Sequence, residues 1–285
     1  MMQAFSHLAS KAPLAALLGS GLLASVSPAA ADGQLEAKYA LSLAGIEVGR
    51  AEVTVNATDA GYDILGTGRV TGVLRAVSSG KGSVAARGGM AAGKSVPRLF
   101  VVSARADGKD ELIKFAITDN VVKDLDVSPP PKPYPDRIEI TDAHLLNVTD
   151  PLTGAFVSVP GKADMLSAAA CDRTVPVFDG RQRYDIVLSF DRVEDVKIEK
   201  GFAGKAVVCQ VRYVPVAGHR PTRSTVKYMQ ENKDMSVWLV PIAGTRLMAP
   251  FKVQVATLVG TVLFEATSFK TEAKEKTIPV NSPKP

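Results

Sequence analysis

Past Lys38 the chain alternates residue by residue between apolar and polar. Tyr39, Leu41 and Leu43 interleave with Lys38, Ala40 and Ser42, and beyond AGIEVG the residues Ala51, Val53 and Val55 interleave with Glu52 and Thr54. A period of two is that of a strand with one buried face, and two such runs about a Gly-containing turn predict an antiparallel hairpin. Tyr62 and Ile64 open a third strand. RLFVVSARADGKDELIKFAIT predicts another hairpin, with Asp107-Gly108 at its turn. RYDIVLSF, KAVVCQVRYVPV, DMSVWLVPI, TRLMAPFKVQVATLVG and TVLFEATSFK supply further strands.

Between these runs the pattern fades. RAVSSGKGSVAARGGMAAGK is small, Gly-rich and weakly patterned, and reads as a mobile loop or a weakly amphipathic element over the mouth of a sheet. The prolines from Pro129 to Pro135 exclude a central strand and predict an exposed connection. Helix is expected in ITDAHLLNVTDPLTGAFVSV, where Asp150 can cap a short helix that has Pro151 at its first position, with another turn in MLSAAAC. Many strands joined by short turns, with few helices, define an all-β antiparallel meander. A sheet of that length must curl, so the expected fold is an extended curved sheet or open β-barrel-like structure, or two packed sheets, with one or two short helices.

Composition adds an address. Of 285 residues 46% are hydrophobic and 22% charged, enough for a core, but only 6% are aromatic, so that core rests on Val, Ile, Leu and Ala. Residues 1–31 carry Lys11, the apolar run APLAALLGSGLLASV and small residues at Ala29 and Ala31, the three-part pattern of a secretory signal peptide cleaved before Asp32. The run is shorter than the roughly twenty residues a membrane-spanning helix needs. The expected organisation is therefore a signal peptide (1–31), one β-rich domain (32–270) and a polar, Pro-rich disordered tail (271–285), exported and soluble.

Export gives the two cysteines their meaning. Cys171 and Cys209 are the chain's complement of thiols, in a compartment where disulfides persist, and no CxxC marks a reactive pair. A structural disulfide is expected, and no metal site, because His144 and His219 lack ligand spacing to either cysteine. The formal charge of +5 comes from basic and acidic residues interleaved along the chain. It suits a mixed soluble surface in contact with the envelope and gives no reason to expect nucleic acid.

Catalytic signatures are sparse. GxSxG, HExxH and a helix-opening GxGxxG are missing, and no cofactor is expected. Gly88 to Ser95 fits the spacing of a phosphate loop, yet no buried strand leads into it and Pro97 stands where its helix should run. His219, Arg220 and Arg223 share a Gly/Pro loop and form a possible anion- or ligand-binding cluster. His144 reads as a partly buried packing residue. The stretch CDRTVPVFDGRQRYDIVLSF gathers charges around Cys171, where Asp172 or Asp179 can pair with Arg181 or Arg183. Structural ion pairs at the start of a stapled strand account for them without any reaction.

YALSLAGIEVGRAEV, DPLTGAF and CDRTVPVFDGRQRYDI together resemble the DUF3108 family, exported bacterial proteins of unknown function, in its alphaproteobacterial form. The resemblance implies a periplasmic, β-rich protein and carries over no catalytic residues. The expected role is that of a non-catalytic envelope protein holding a hydrophobic or amphiphilic, lipid-like ligand, or an envelope partner, on a curved sheet. The alternatives are an envelope hydrolase built around His219 and a purely structural interaction protein with a filled interior.

Overall fold

The alternating runs become two antiparallel meanders. The computed structural model describes residues 32–72, 75, 79–199 and 201–274; the expected signal peptide and the tail beyond Lys274 lie outside the described residues. The first meander runs through β1 (Asp32–Leu43), β2 (Ile46–Ala57), β3 (Gly61–Val70), β4 (Lys81–Ala91), β5 (Lys94–Ala106), β6 (Lys109–Thr118) and β7 (Val121–Ser128). A connector then carries helix α1 (Pro151–Ala155) and the two-residue strand β8 (Val157–Ser158). The second meander comprises β9 (Arg173–Phe178), β10 (Arg183–Lys197), β11 (Ala203–Ala217), helix α2 (Ser224–Glu231), β12 (Met235–Pro241), β13 (Leu247–Thr257) and β14 (Gly260–Lys274).

The order across the sheet is β7-β6-β5-β4-β3-β2-β1-β14-β13-β12-β11-β10-β9, with β8 attached to β13. The first and last strands thus pair at the middle, from Asp32 opposite Lys274 to Leu43 opposite Val262, and the free edges are β7 and β9. The all-β, curved and unclosed sheet is as the sequence predicts. Its two edges do not bond to each other but to the connector, where Leu146 bridges Val121 and Thr149 bridges Val177. Asn147 N–H donates to Asn120 O at 2.8 Å and Phe178 N–H to Thr149 O at 2.9 Å. Backbone groups that an open sheet would leave bare are occupied in this way. Beneath the seam Phe115 of β6 and Phe178 of β9 bring their rings to 5.4 Å, within a cluster that includes Phe100, Ile117, Val122 and Val148.

The main core lies on the concave side. Leu35, Ala37 and Tyr39 of β1 join Val55, Ile64, Val240, Phe251, Ala266 and Phe269. The phenol of Tyr39, buried among them, donates to Pro250 O at 2.8 Å. Helix α1 forms as its sequence predicts: the Asp150 carboxylate accepts from Thr153 N–H at 2.8 Å, and Pro151 occupies the first turn, where its missing N–H costs nothing. Leu152 of α1 packs against both the main core and the seam cluster, which draws the connector into the interior.

Three expectations change. The Gly-rich stretch read as a loop contains β4, fully paired to β3 and β5; its inward positions are Val84, Ala86 and Gly88, so small that the polar–apolar contrast of a strand is faint. Strand β14 extends to Lys274, four residues into the stretch expected to be disordered, because β1 gives it a partner to its end. The residues after His219 include helix α2, which has no side-chain cap and no acidic residue in its first turn to announce it.

Candidate functional site

The stretch that gathers Cys171 and its charges is a staple. Cys171 follows a short 3-10 turn, Cys209 lies in β11 opposite Phe190 of β10, and the two are joined across a Cα–Cα distance of 5.5 Å. The surrounding charges serve the backbone. Asp172 accepts from Phe190 N–H at 2.7 Å, and Arg173 donates to Ser158 O at 2.7 Å and to Ala169 O. Asp179 caps the β9–β10 turn, accepting from the N–H groups of Arg181 at 2.8 Å and Gln182 at 2.6 Å. The ion pairs differ from those the sequence suggested: Arg181 meets Glu111 at 3.0 Å and Arg183 meets Asp185 at 2.6 Å. The curl of the sheet brings the β9–β10 turn against β6, a neighbour remote in sequence, and turn geometry claims both Asp179 contacts first.

His219, Arg220 and Arg223 come together in a groove of about 500 Å³ beside Tyr134, Arg137, Arg181 and Tyr213. Its charges are largely answered from within. Arg220 meets Asp136 at 2.7 Å, with Thr222 on the other carboxylate oxygen, and stacks over the Tyr134 ring at 3.9 Å. Arg137 donates to Gly218 O at 2.9 Å. His219 is buried, and desolvation holds its pKa below the usual imidazole value despite a bond to the Ala217 backbone. Its Nδ1 has no hydrogen-bond partner, and among the described residues no hydroxyl or carboxylate is bonded to its ring. Arg223 sits at the start of α2 without an ion-pair partner among the described residues. His144 lies elsewhere, accepting Thr141 N–H at its Nδ1, 3.1 Å away. Among the described residues no three His, Cys, Asp or Glu side chains stand close enough to hold a metal, and no helix is long and apolar enough to cross a membrane. Gly88 to Ser95, which matched phosphate-loop spacing, is the β4–β5 hairpin, with Ala92 and Gly93 at its turn.

A different site, unmarked in the sequence reading, is a hollow of about 540 Å³ on the concave face of the first meander. Its walls are three cross-strand rows: Phe264–Leu41–Gly49–Val70, Ala51–Gly68–Gly82–Ala104 and Val53–Gly66–Val84–Val102. Leu152 of α1 borders it as well. Glycine in a strand interior normally weakens it, for lack of a side chain to pack and for the entropy lost on ordering. None of Gly49, Gly66, Gly68 and Gly82 has a positive φ that would demand glycine. Close neighbours hold three of them to glycine, since a Cβ would come within 2.9 Å of Val84 at Gly66, 3.0 Å of Ser103 O at Gly82 and 3.3 Å of Arg69 O at Gly49. At Gly68 it would meet nothing nearer than Arg50 O at 3.7 Å, and there the missing side chain leaves space. The signal available in the sequence was glycine at inward strand positions flanked by valine and alanine, which only the register could identify as a single surface.

Among solved structures, the chain is similar to the crystal structure of a β-barrel-like protein of domain of unknown function DUF1849 from Brucella abortus, with 11% identity over 85% of this chain and 98% of that one and a TM-score of 0.49. No curated protein matches it. The match that covers most of the chain is to a family of proteins of unknown function: over residues 38–267 the sequence fits its pattern, and the chain belongs to DUF3108.

Proposed function

We propose that the protein is an exported, periplasmic binding protein that holds the apolar part of a lipid-like amphiphile in the glycine-walled hollow and performs no chemistry on it. The observation that carries this reading is an apolar-walled hollow floored by inward glycines, with room at Gly68 for a side chain that the sequence does not supply. The hollow's volume falls within the range of small-molecule sites, and each methylene buried there contributes about 0.8 kcal/mol. Arg50, Arg69, Lys81 and Arg105 border it, which favours a ligand with an anionic head. A purely structural protein would gain stability by filling this space, so the hollow supports carriage over that alternative.

Gly68 offers the test. A Cβ there would meet only Arg50 O, at 3.7 Å, so a larger side chain fits and occupies the hollow. Gly68→Leu is expected to fold normally and to take up a fluorescent fatty-acid probe at least about tenfold more weakly than the wild-type chain, the loss of two buried methylenes. Native mass spectrometry of the gently purified wild type should show a bound amphiphile. Equal probe uptake by a well-folded Gly68→Leu variant would sink the reading.

A further inference from the structure

The turns at one end of the curved sheet have unusual tips. The β1–β2 turn and the β13–β14 turn lie side by side, joined by a hydrogen bond from Ala44 N–H to Thr261 O at 2.9 Å. Ile46, Leu258 and Val259 at these turns are 54%, 57% and 72% exposed. Elsewhere the chain turns on Asp107-Gly108 and Asp119-Asn120, residues suited to both water and positive φ. Three large, exposed aliphatic side chains on adjacent tips form an apolar point among the described residues.

Beside them, on the outer face of the first meander, stands a row of cations. Register places Arg50 opposite Arg69, Arg69 opposite Lys81 and Lys81 opposite Arg105, one from each of β2, β3, β4 and β5. Like charges directly opposite one another across strands are destabilising. Glu47 answers Arg50 at 2.9 Å and Asp110 answers Arg105 at 2.5 Å, whereas Arg69 and Lys81 have no ion-pair partner among the described residues. The four line a depression of about 680 Å³ whose floor includes Thr67, Ser83 and Ser103. Arg69, Lys81 and Arg105 sit at or next to the strand ends at this same rim, and Val48, Val70, Gly80 and Ala106 bring the inner hollow to it.

We propose that this rim docks on an anionic lipid bilayer, with Ile46, Leu258 and Val259 entering the interface and the Arg50–Arg69–Lys81–Arg105 row facing the headgroups. The combination is what selects a bilayer: a soluble polyanion would use the cations and leave the apolar tips in water. Docking in this orientation sets the mouth of the hollow against the acyl region, and so rests on the carriage reading for its purpose though not for its measurement. Basic residues attract an anionic membrane surface over about a Debye length, so the contact weakens as salt is raised.

Vesicle co-sedimentation tests it. The wild-type chain is expected to bind vesicles of phosphatidylglycerol mixed with phosphatidylcholine, to bind pure phosphatidylcholine vesicles far less, and to be released by high salt. Leu258→Ser/Val259→Ser should weaken vesicle binding by about tenfold or more while leaving uptake of the fatty-acid probe from solution intact, and Arg69→Glu/Lys81→Glu should weaken vesicle binding by a similar factor and abolish the preference for phosphatidylglycerol. Gly68→Leu should instead weaken probe uptake and leave vesicle binding intact. Equal binding to both kinds of vesicle, or binding that survives both double substitutions, overturns the docking proposal. Intact probe uptake by Gly68→Leu with the vesicle results as expected overturns the carriage reading alone.

Discussion

Tyr62 and Thr153 set their hydroxyl oxygens 3.0 Å apart in the buried interior, one on β3 and the other on α1. The bond ties the wall of the first meander to the helix that the connector sends inside. Gly88 on the neighbouring strand has no Cβ, and one placed there would collide with the Tyr62 phenol. Tyr62→Phe removes the bond while keeping the ring. It should lower unfolding free energy by about 1 kcal/mol in urea titration, and the loss should largely vanish when Thr153→Val is already present.

Asp150 is fully buried, and desolvation holds its carboxyl above the ordinary Asp value even though Thr153 donates to it. One of its oxygens has no partner, as suits a protonated acid. The folded chain therefore keeps this proton at a pH where the unfolded chain has released it. The stabilisation is complete below the ordinary value of 3.8 and declines as pH rises through the folded pKa. Asp179, also raised by burial, acts in the same direction. Asp150→Asn keeps the cap and removes the titration, so its stability should fall less from acidic to neutral pH than that of the wild type. Asp150→Ala loses the cap and should cost about 1 kcal/mol throughout.

The Cys171–Cys209 bridge spans a sequence separation of 38. Closing a loop of that size is worth about 4 kcal/mol in the chain-entropy account. Urea unfolding of the wild type with and without reductant, and of Cys171→Ala/Cys209→Ala, should show a loss of that order. Thiol labelling of the native chain should find no free sulfhydryl. Equal stability in both redox states would remove the staple.

His219 reverses the sign of Asp150. Burial lowers its pKa, so as pH falls the unfolded chain takes up a proton near 6.5 while the folded chain does not. Its stabilisation is whole above that value and is lost as pH falls through the folded pKa. His219→Gln should flatten stability across the mildly acidic range, measured by thermal unfolding in a pH series. It should leave fatty-acid probe uptake unchanged, because its groove is separate from the hollow.

The strand character of the chain was legible wherever large apolar residues alternate with polar ones, as at Tyr39–Leu43 and Ala51–Val55. The Asp150–Pro151 helix start was equally plain, since cap and first-turn proline are local chemistry. Strand β4 was not, because Gly82, Ala86 and Gly88 bury almost no side chain, and their inward orientation depends on neighbours in β3 and β5. The hollow was hidden for the same reason. Gly49, Gly66, Gly68 and Gly82 become one surface only after three strands are set in register. The Arg181–Glu111 pair illustrates the general limit: a contact across the seam of a curled sheet leaves no trace in local sequence.

Pairing of the opening strand with the closing one also ranks the events of folding. Asp32 and Lys274 finish as neighbours, so the central ladder cannot zip until nearly the whole polypeptide is present, whereas every hairpin on either side can form from adjacent segments. The same adjacency makes the molecule a natural subject for circular permutation: a short linker could join these positions, with new termini cut into the exposed proline run after Ser128. Such a rearranged chain would turn the slowest, most distant contact into a local one, and its refolding should be correspondingly faster.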